Sequence, residues 1–108
     1  RVIPQANLTS LDPVWTTAVV TRNHGFLVYD TLTAEDAAGR VKPQMLEGWE
    51  VSDDRRTWRF TLREGLRFHD NQPVRSADCI ASIRRWAQRE TFGQIAGGAV
   101  EEWRALDD

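Results

Sequence analysis

Large apolar and polar side chains alternate strictly in one segment near the middle of the chain. Trp58, Phe60 and Leu62 occupy every second position, and arginine or threonine lies between and after them. Because successive side chains of a β-strand point to opposite faces, the alternation predicts a strand with one apolar and one polar face. It also favours core packing over ligand contact for these side chains, and for Trp49 and Phe68 nearby.

Turn-forming sequences divide the chain around this strand into short elements. Residues 53–56, Asp-Asp-Arg-Arg, are expected to join it to a preceding strand at residues 50–52. Residues 33–43 are small and polar and contain glycine and proline, which predicts a turn between two short strands. A further turn is expected at residues 70–73.

Two segments show the apolar spacing of helices. The first covers residues 18–29, and the hydroxyl of Thr16 or Thr17 is expected to cap it. The second is expected to be capped by Ser76, with Asp78 complementing the positive end of the helix dipole. The stripe predicted to be buried in this second helix consists of Ala77, Ile80, Ile83 and Ala87, with Trp86 at its edge.

Glycines interrupt the C-terminal part of the chain. Gly93, Gly97 and Gly98 follow the second predicted helix closely. Because glycine is a poor helix former, these positions are expected to break the chain there. Residues 99–106 are then expected to form a final strand.

The charge of the chain is nearly balanced. Fourteen basic and 16 acidic residues give a formal charge of -2, so we do not expect nucleic acid as a partner. No apolar run approaches the roughly 20 residues needed to cross a bilayer. The first residues lack the charged and then apolar build of a signal peptide, so we expect the signal of an exported protein to have been removed.

A single cysteine, Cys79, excludes an internal disulfide and a thiolate-rich metal cluster. It lies near the start of a predicted helix, which favours a lowered thiol pKa, although a small half-buried residue is the commoner role. His24 and His69 do not make a zinc-binding spacing with it. The sequence shows neither the Ser, His and Asp order of a catalytic triad nor a phosphate-binding glycine loop. We therefore expect no catalytic residue, no enzymatic activity, no metal and no cofactor.

Three runs of the sequence, taken in order, carry a family resemblance. Residues 45–54 are Met-Leu-Glu-Gly-Trp-Glu-Val-Ser-Asp-Asp, residues 58–70 are Trp-Arg-Phe-Thr-Leu-Arg-Glu-Gly-Leu-Arg-Phe-His-Asp, and residues 76–79 are Ser-Ala-Asp-Cys. This order resembles the bacterial extracytoplasmic solute-binding proteins of family 5, the oligopeptide and dipeptide class. Asn71 stands where that family usually has glycine, and residues 76–79 depart mildly from its threonine-alanine pattern.

The resemblance implies an α/β fold that is part of lobe I of a two-lobed periplasmic binding protein of type II. Short mixed β-sheet or hairpins and two main helices are expected within it. Because family members are several times longer, residues 1–108 are expected to be an N-terminal fragment of the first lobe. The remainder of lobe I and all of the other lobe would then be absent. Apolar faces and strand edges would lack their partners, so we expect the isolated chain to self-associate.

The same resemblance implies the substrate-binding component of an ABC importer. Such a protein captures a peptide or peptide-like small solute outside the cytoplasm and delivers it to permease subunits in the membrane. A sensory, chemoreceptor-coupled binding protein of the same fold is the alternative. The residues leave the ligand open among a peptide, an opine, a sugar and a metal complex.

The resemblance further implies that the loop after Leu11-Asp12-Pro13 faces the ligand cleft. A tryptophan at position 15 offers a flat apolar wall with one donor, and backbone N–H groups at a helix start suit a carboxylate. The alternative is that this tryptophan seals the helix against the sheet. The candidate ligand contacts are Trp15, Thr16, Thr17, Ala18 and Val19, together with Phe92 in the loop after the second helix.

Overall fold

The computed structural model describes residues 3–106. Its contacts divide the chain into a strand unit, Asp30–Val74, and a helical unit formed by the described residues on either side of that segment. The combination of helices and small antiparallel sheets agrees with the α/β fold class. No helix within residues 3–106 is both long enough and apolar enough to span a bilayer. The elements in chain order are α1 (Val19–Val28), β1 (Thr33–Glu35), β2 (Val41–Pro43), β3 (Leu46–Val51), β4 (Trp58–Leu62), α2 (Ser76–Arg89) and α3 (Thr91–Gly98).

The predicted central hairpin is confirmed as the antiparallel pair of β3 and β4. Trp49 lies opposite Phe60 and Val51 lies opposite Trp58. Directly opposed residues of an antiparallel pair share a face, so these four apolar side chains line one side of the hairpin. The rings of Trp58 and Phe60 are stacked, with 6.3 Å between their centroids. This agrees with their positions two residues apart on one face of β4.

A β-bulge between Leu46 and Gly48 shifts the register of β3. Without it, strict alternation would place Leu46 and Trp49 on opposite faces. The extra residue changes the phase, so Leu46, opposite Leu62, lies on the same face as Trp49. Leu46 is fully buried there, with 1% of its surface exposed.

The remaining turns of the strand unit also follow the sequence pattern. β1 and β2 pair antiparallel, which confirms the predicted turn within residues 33–43. In the turn after Phe68, Asn71 has a positive φ of 72°. Asparagine tolerates this left-handed conformation better than most residues, which explains how it stands where the family usually has glycine.

The prediction that the strand aromatics are core residues is wrong for all four of them within residues 3–106. Trp58 and Phe60 keep 53% and 51% of their surface exposed, and Trp49 and Phe68 are also exposed, whereas Leu62 is half-buried. A two-stranded ribbon supplies only one layer, and burying its apolar face takes a second layer of structure.

In the helical unit, α2 begins one residue away from the predicted cap. Arg75 occupies the N-cap position and Ser76 is the first helical residue, so the prediction of a Ser76 cap is wrong. Asp78 behaves as predicted, because its carboxylate accepts a hydrogen bond of 2.9 Å from the Arg75 backbone N–H at the positive end of the helix. The predicted stripe is only partly buried: Ile80, Ile83, Trp86 and Ala87 are half-buried and Ala77 is exposed.

The predicted break at the glycines is wrong, because Gly93, Gly97 and Gly98 lie inside α3. A Cβ on Gly93 would lie 2.8 Å from the backbone oxygen of Trp86, and one on Gly97 would lie 2.9 Å from the Cβ of Ala87. Glycine at these positions allows α3 to pack closely on α2. The final strand predicted at residues 99–106 is also wrong, since no strand is formed there.

Candidate functional site

The loop before α1 contains a tight turn organised by Asp12. The backbone oxygen of Asp12 accepts a hydrogen bond of 3.2 Å from the Trp15 N–H. The Asp12 carboxylate accepts another of 3.0 Å from the Val14 N–H. An aspartate before proline commonly forms a turn of this kind with its own following backbone. The turn presents Trp15 with 61% of its surface exposed, so its ring does not fill a core.

Two arginines of α2 contact this turn. The Arg85 guanidinium donates hydrogen bonds to both Asp12 carboxylate oxygens and forms an ion pair with them. The guanidinium carbon of Arg89 lies 3.5 Å from the centroid of the Trp15 ring, which is a cation–π contact. Arginines four residues apart share a helix face, so the two contacts come from one side of α2.

The ion pair changes the acidity of both partners. Hydrogen bonds from Arg85 hold the pKa of the Asp12 carboxyl below its usual value, and the backbone N–H groups of Val14 and Trp15 act in the same direction. The Asp12 carboxylate in turn raises the pKa of Arg85. The turn is therefore held to α2 by charges that both persist at neutral pH.

The segment that leads into α1 differs from the predicted cap. Ala18 is the N-cap residue, and no side chain caps the first turn, so the cap predicted for Thr16 or Thr17 is wrong. The Thr16 hydroxyl instead accepts a hydrogen bond of 3.2 Å from the Ala18 N–H, outside the helix. The first turn of α1 also carries no acidic residue. Its backbone N–H groups lack a side-chain cap, and Thr17, Ala18 and Val19 are exposed beside them.

Thr21 anchors α1 to the preceding segment. Its side chain is 1% exposed, and its hydroxyl donates a hydrogen bond of 2.9 Å to the Ser10 backbone oxygen. Burying a hydroxyl without a partner is costly, so this bond fixes the helix relative to the chain that enters the loop.

Phe92 lies in α3 and not in the loop where it was expected. Its ring is 67% exposed and packs at a tilt against Trp86, with 6.2 Å between ring centroids. α2 therefore contacts both parts of the candidate site, Trp15 through Arg89 and Phe92 through Trp86. The other candidates are consecutive in sequence: Trp15, Thr16, Thr17 and Ala18 precede α1, and Val19 is its first residue.

Within residues 3–106, no group of three or more histidine, cysteine, aspartate or glutamate side chains is arranged to hold a metal ion. Burial raises the pKa of the Cys79 thiol, and the neighbouring Asp78 raises it further. The interpretation of Cys79 as a thiol with lowered pKa is therefore wrong, and its half-buried position agrees with the alternative.

The residues that hold the loop were missed in the sequence. The sequence indicated Asp12 only as part of the segment before the loop, and it gave no role to Arg85 or Arg89. The available signal was the four-residue spacing of the two arginines, which places both on one helix face. Nothing in that spacing identifies Asp12 as the partner, because Arg85 lies 73 residues away in sequence.

Several curated proteins are similar to this chain. A probable peptide ABC transporter periplasmic-binding protein of Sinorhizobium fredii is 47% identical over 102 residues, which are 94% of this chain and 19% of that protein. The nickel-binding periplasmic protein of Escherichia coli is 38% identical over 69% of this chain and 15% of its own length. The periplasmic oligopeptide-binding protein of Haemophilus influenzae is 32% identical over 81% of this chain and 16% of its own. The chain spans less than a fifth of the length of these relatives.

The similarity agrees with the resemblance carried by the aromatic strand and its flanking turns. Residues 40–108 match the model of a protein family described as bacterial extracellular solute-binding proteins, family 5 Middle. This match covers the central hairpin, α2 and α3, and the relatives named above are binding proteins. The chain belongs to family 5 of the bacterial extracellular solute-binding proteins.

Proposed function

We propose that the gene product containing this chain is the substrate-binding component of an ABC importer. It captures a peptide or peptide-like solute in the periplasm and delivers it to permease subunits, without breaking any bond of the ligand. The observation that carries this proposal is the 47% identity, over 94% of the chain, to a relative named as a probable peptide ABC transporter periplasmic-binding protein.

The proposed architecture places this chain in the first of two lobes. The relatives are five or more times longer than the matched segments, which supports a chain that is part of a larger ligand-binding protein. Binding proteins of two lobes enclose small ligands by domain closure, and the residues that line the cleft select the ligand.

The loop before α1 is the proposed ligand-contacting part of this chain. The exposed indole of Trp15 offers an apolar wall with an N–H donor, and the first turn of α1 offers backbone N–H groups without a side-chain cap. These groups suit the mixture of apolar side chains, carbonyl oxygens and carboxylate that a peptide presents. The proposed contacts are Trp15, Thr16, Thr17, Ala18 and Val19 around this loop, together with Phe92 in α3.

A pair of variants tests this site in the full-length gene product. Trp15→Ala is expected to weaken binding of alanine peptides of two to five residues by about tenfold or more, since truncation of a central aromatic removes much of its contact area. Phe26→Ala is the matched control, because Phe26 is an exposed aromatic of α1 outside the proposed contacts. Calorimetric affinities that are equal for Trp15→Ala and the wild type would contradict the proposed site.

The delivery step needs a separate experiment. Deleting the gene is expected to abolish uptake of a radiolabelled alanine peptide by cells, and the wild-type gene is expected to restore it. Uptake that continues at the wild-type rate after deletion would contradict the transport role, even if the purified protein binds peptide.

A further inference from the structure

We propose that Arg85 and Arg89 of α2 are positioning residues for the ligand-contacting loop. They contact the two ends of the Asp12–Trp15 turn and set the orientation of the Trp15 ring. The inference rests on the proposed function, because the loop matters for binding only if it contacts the ligand. Neither arginine is among the proposed ligand contacts.

The contact of Arg85 holds the start of the turn. The Asp12 carboxylate accepts from the Arg85 guanidinium and from the Val14 N–H, so one side chain joins α2 to the turn backbone. Charge-assisted bonds to both carboxylate oxygens restrict the carboxylate in position and in rotation. The main-chain bond from the Trp15 N–H to the Asp12 oxygen then transmits that restriction to Trp15.

The contact of Arg89 holds the end of the turn. Its guanidinium carbon lies 3.5 Å from the centroid of the Trp15 ring, so the cation covers part of one indole face. The ring still keeps 61% of its surface exposed. An exposed indole on a short loop has several rotamers, and a cation–π contact favours one of them. A side chain already held in one orientation loses less entropy on binding, which increases affinity.

Fluorine NMR of the full-length gene product labelled with 5-fluorotryptophan tests the positioning directly. The Trp15 resonance is assigned by its loss in Trp15→Phe. Arg85→Gln and Arg89→Gln are each expected to shift or broaden the Trp15 resonance and to leave that of Trp58 unchanged. Arg84→Gln is the matched control, since it removes the same charge from the neighbouring position of α2 and is expected to leave both resonances in place.

Affinity for alanine peptides of two to five residues is the second readout. Arg85→Gln and Arg89→Gln are each expected to weaken binding about two- to tenfold, the range expected from loss of preorganisation or a cation–π contact. Arg84→Gln is expected to bind as the wild type does. Arg85→Lys keeps the charge and one hydrogen-bonding end, so it is expected to restore part of the affinity lost in Arg85→Gln.

Two outcomes would overturn the inference. One is a Trp15 resonance that is unchanged in both glutamine variants. The other is an affinity loss in Arg84→Gln equal to that in Arg85→Gln, which would assign the effect to net charge. If the wild type binds none of the peptides, the proposed function of peptide capture fails, and the fluorine spectra still decide whether the arginines position Trp15.

Discussion

Thr21 shows how one buried hydroxyl orders the approach to the candidate site. It is 1% exposed, and its bond to the Ser10 backbone oxygen joins α1 to the segment that enters the loop. Threonine inside a helix more commonly bonds to the preceding turn of the same helix. Here the hydroxyl reaches outside the helix, so its contribution is tertiary and local to this part of the chain.

Replacing Thr21 by valine is expected to destabilise the loop and α1 locally. Valine keeps the shape but leaves the Ser10 oxygen without this donor, at a cost of about 1–3 kcal/mol. Hydrogen exchange of the gene product, followed in peptides covering residues 10–28, measures the local opening. Thr21→Ser keeps the hydroxyl, so the amide hydrogens of these peptides are expected to exchange more slowly in this variant than in Thr21→Val. Equal exchange rates in the two variants would contradict the assigned role of the hydrogen bond.

The Asp12–Arg85 pair makes the loop sensitive to acid. The pKa of Asp12 is lowered chiefly by the Arg85 hydrogen bonds, so the pair contributes its full stabilisation above the ordinary carboxyl pKa of 3.8. That contribution is lost as the pH falls through the lowered pKa, because the protonated carboxyl no longer pairs with the guanidinium. At neutral pH the pair is fully charged.

Arg85→Gln is expected to move the Asp12 pKa back up towards 3.8. Carboxyl ¹³C NMR titration of the gene product measures this change. Asp36 is the internal control, because its pKa is lowered first by the Arg40 backbone N–H and is expected to stay where it is. An unchanged Asp12 midpoint in Arg85→Gln would show that the arginine does not hold the carboxylate.

At the scale of elements, close packing of α3 on α2 depends on two missing side chains. A Cβ on Gly93 would lie 2.8 Å from the Trp86 oxygen and 3.0 Å from the Ala87 Cα. These are backbone atoms, so they cannot move aside by a change of rotamer. Glu90 caps the same helix by accepting a 3.0 Å hydrogen bond from the Gly93 N–H. The backbone at residue 93 is therefore held both by packing and by its cap.

Gly93→Ala is expected to loosen the α2–α3 pair by about 1–3 kcal/mol, the usual cost of overpacking. Gly98→Ala is the matched control, since a Cβ at that position of α3 meets nothing within 4 Å. Alanine favours helix over glycine, so the control is expected to be neutral or slightly stabilising. Hydrogen exchange in peptides covering residues 76–98 distinguishes the two variants, because faster exchange is expected only in Gly93→Ala. Equal protection in both variants would contradict the packing account.

The elements that the sequence predicted best are those with a strong local period. Alternation and a turn-forming sequence predicted the β3–β4 hairpin, but β3 begins earlier than expected and contains a bulge. One extra residue reverses the phase of alternation, and no local pattern marks where it occurs. α3 was missed because its glycines disfavour helix locally, whereas the close approach that requires them is a tertiary contact.

The candidate site was predictable only in part. The loop containing Trp15 was suggested by family resemblance, and its exposed ring and uncapped helix start are compatible with ligand contact. Its attachment to α2 was not predictable, because Asp12 and Arg85 are 73 residues apart. Ion pairs between such distant residues depend on how the chain folds and leave no periodic pattern.

At the scale of the whole molecule, the β3–β4 hairpin gives the strand unit an exposed apolar face. Trp49, Val51, Trp58 and Phe60 line it together, and all four are exposed. Contiguous apolar surfaces of this kind favour association. We propose that the isolated chain self-associates through this face.

Phe60→Lys is expected to weaken self-association of the isolated chain, since it places a charge in the centre of the apolar face. Thr61→Lys is the matched control, because it adds the same charge to the neighbouring residue on the opposite face of β4. Sedimentation velocity over a range of concentrations measures the distribution of species. A wild-type chain that remains a compact monomer at the highest concentration would contradict the proposal.

Family membership and ligand capture have different support. Membership rests on the match of residues 40–108 and on identity that extends over 94% of the chain. The ligand does not follow from membership, since relatives of similar identity are named for binding oligopeptides and nickel. The chain spans less than a fifth of the length of those relatives.

Calorimetric titration of the full-length gene product tests peptide capture most directly. The panel consists of short peptides, an opine, a sugar and a nickel complex, each titrated into the purified protein. The account predicts saturable, one-to-one binding of at least one peptide, weakened in Trp15→Ala and unchanged in Phe26→Ala. Saturable binding of the sugar, the opine or the nickel complex with no binding of any peptide would contradict it.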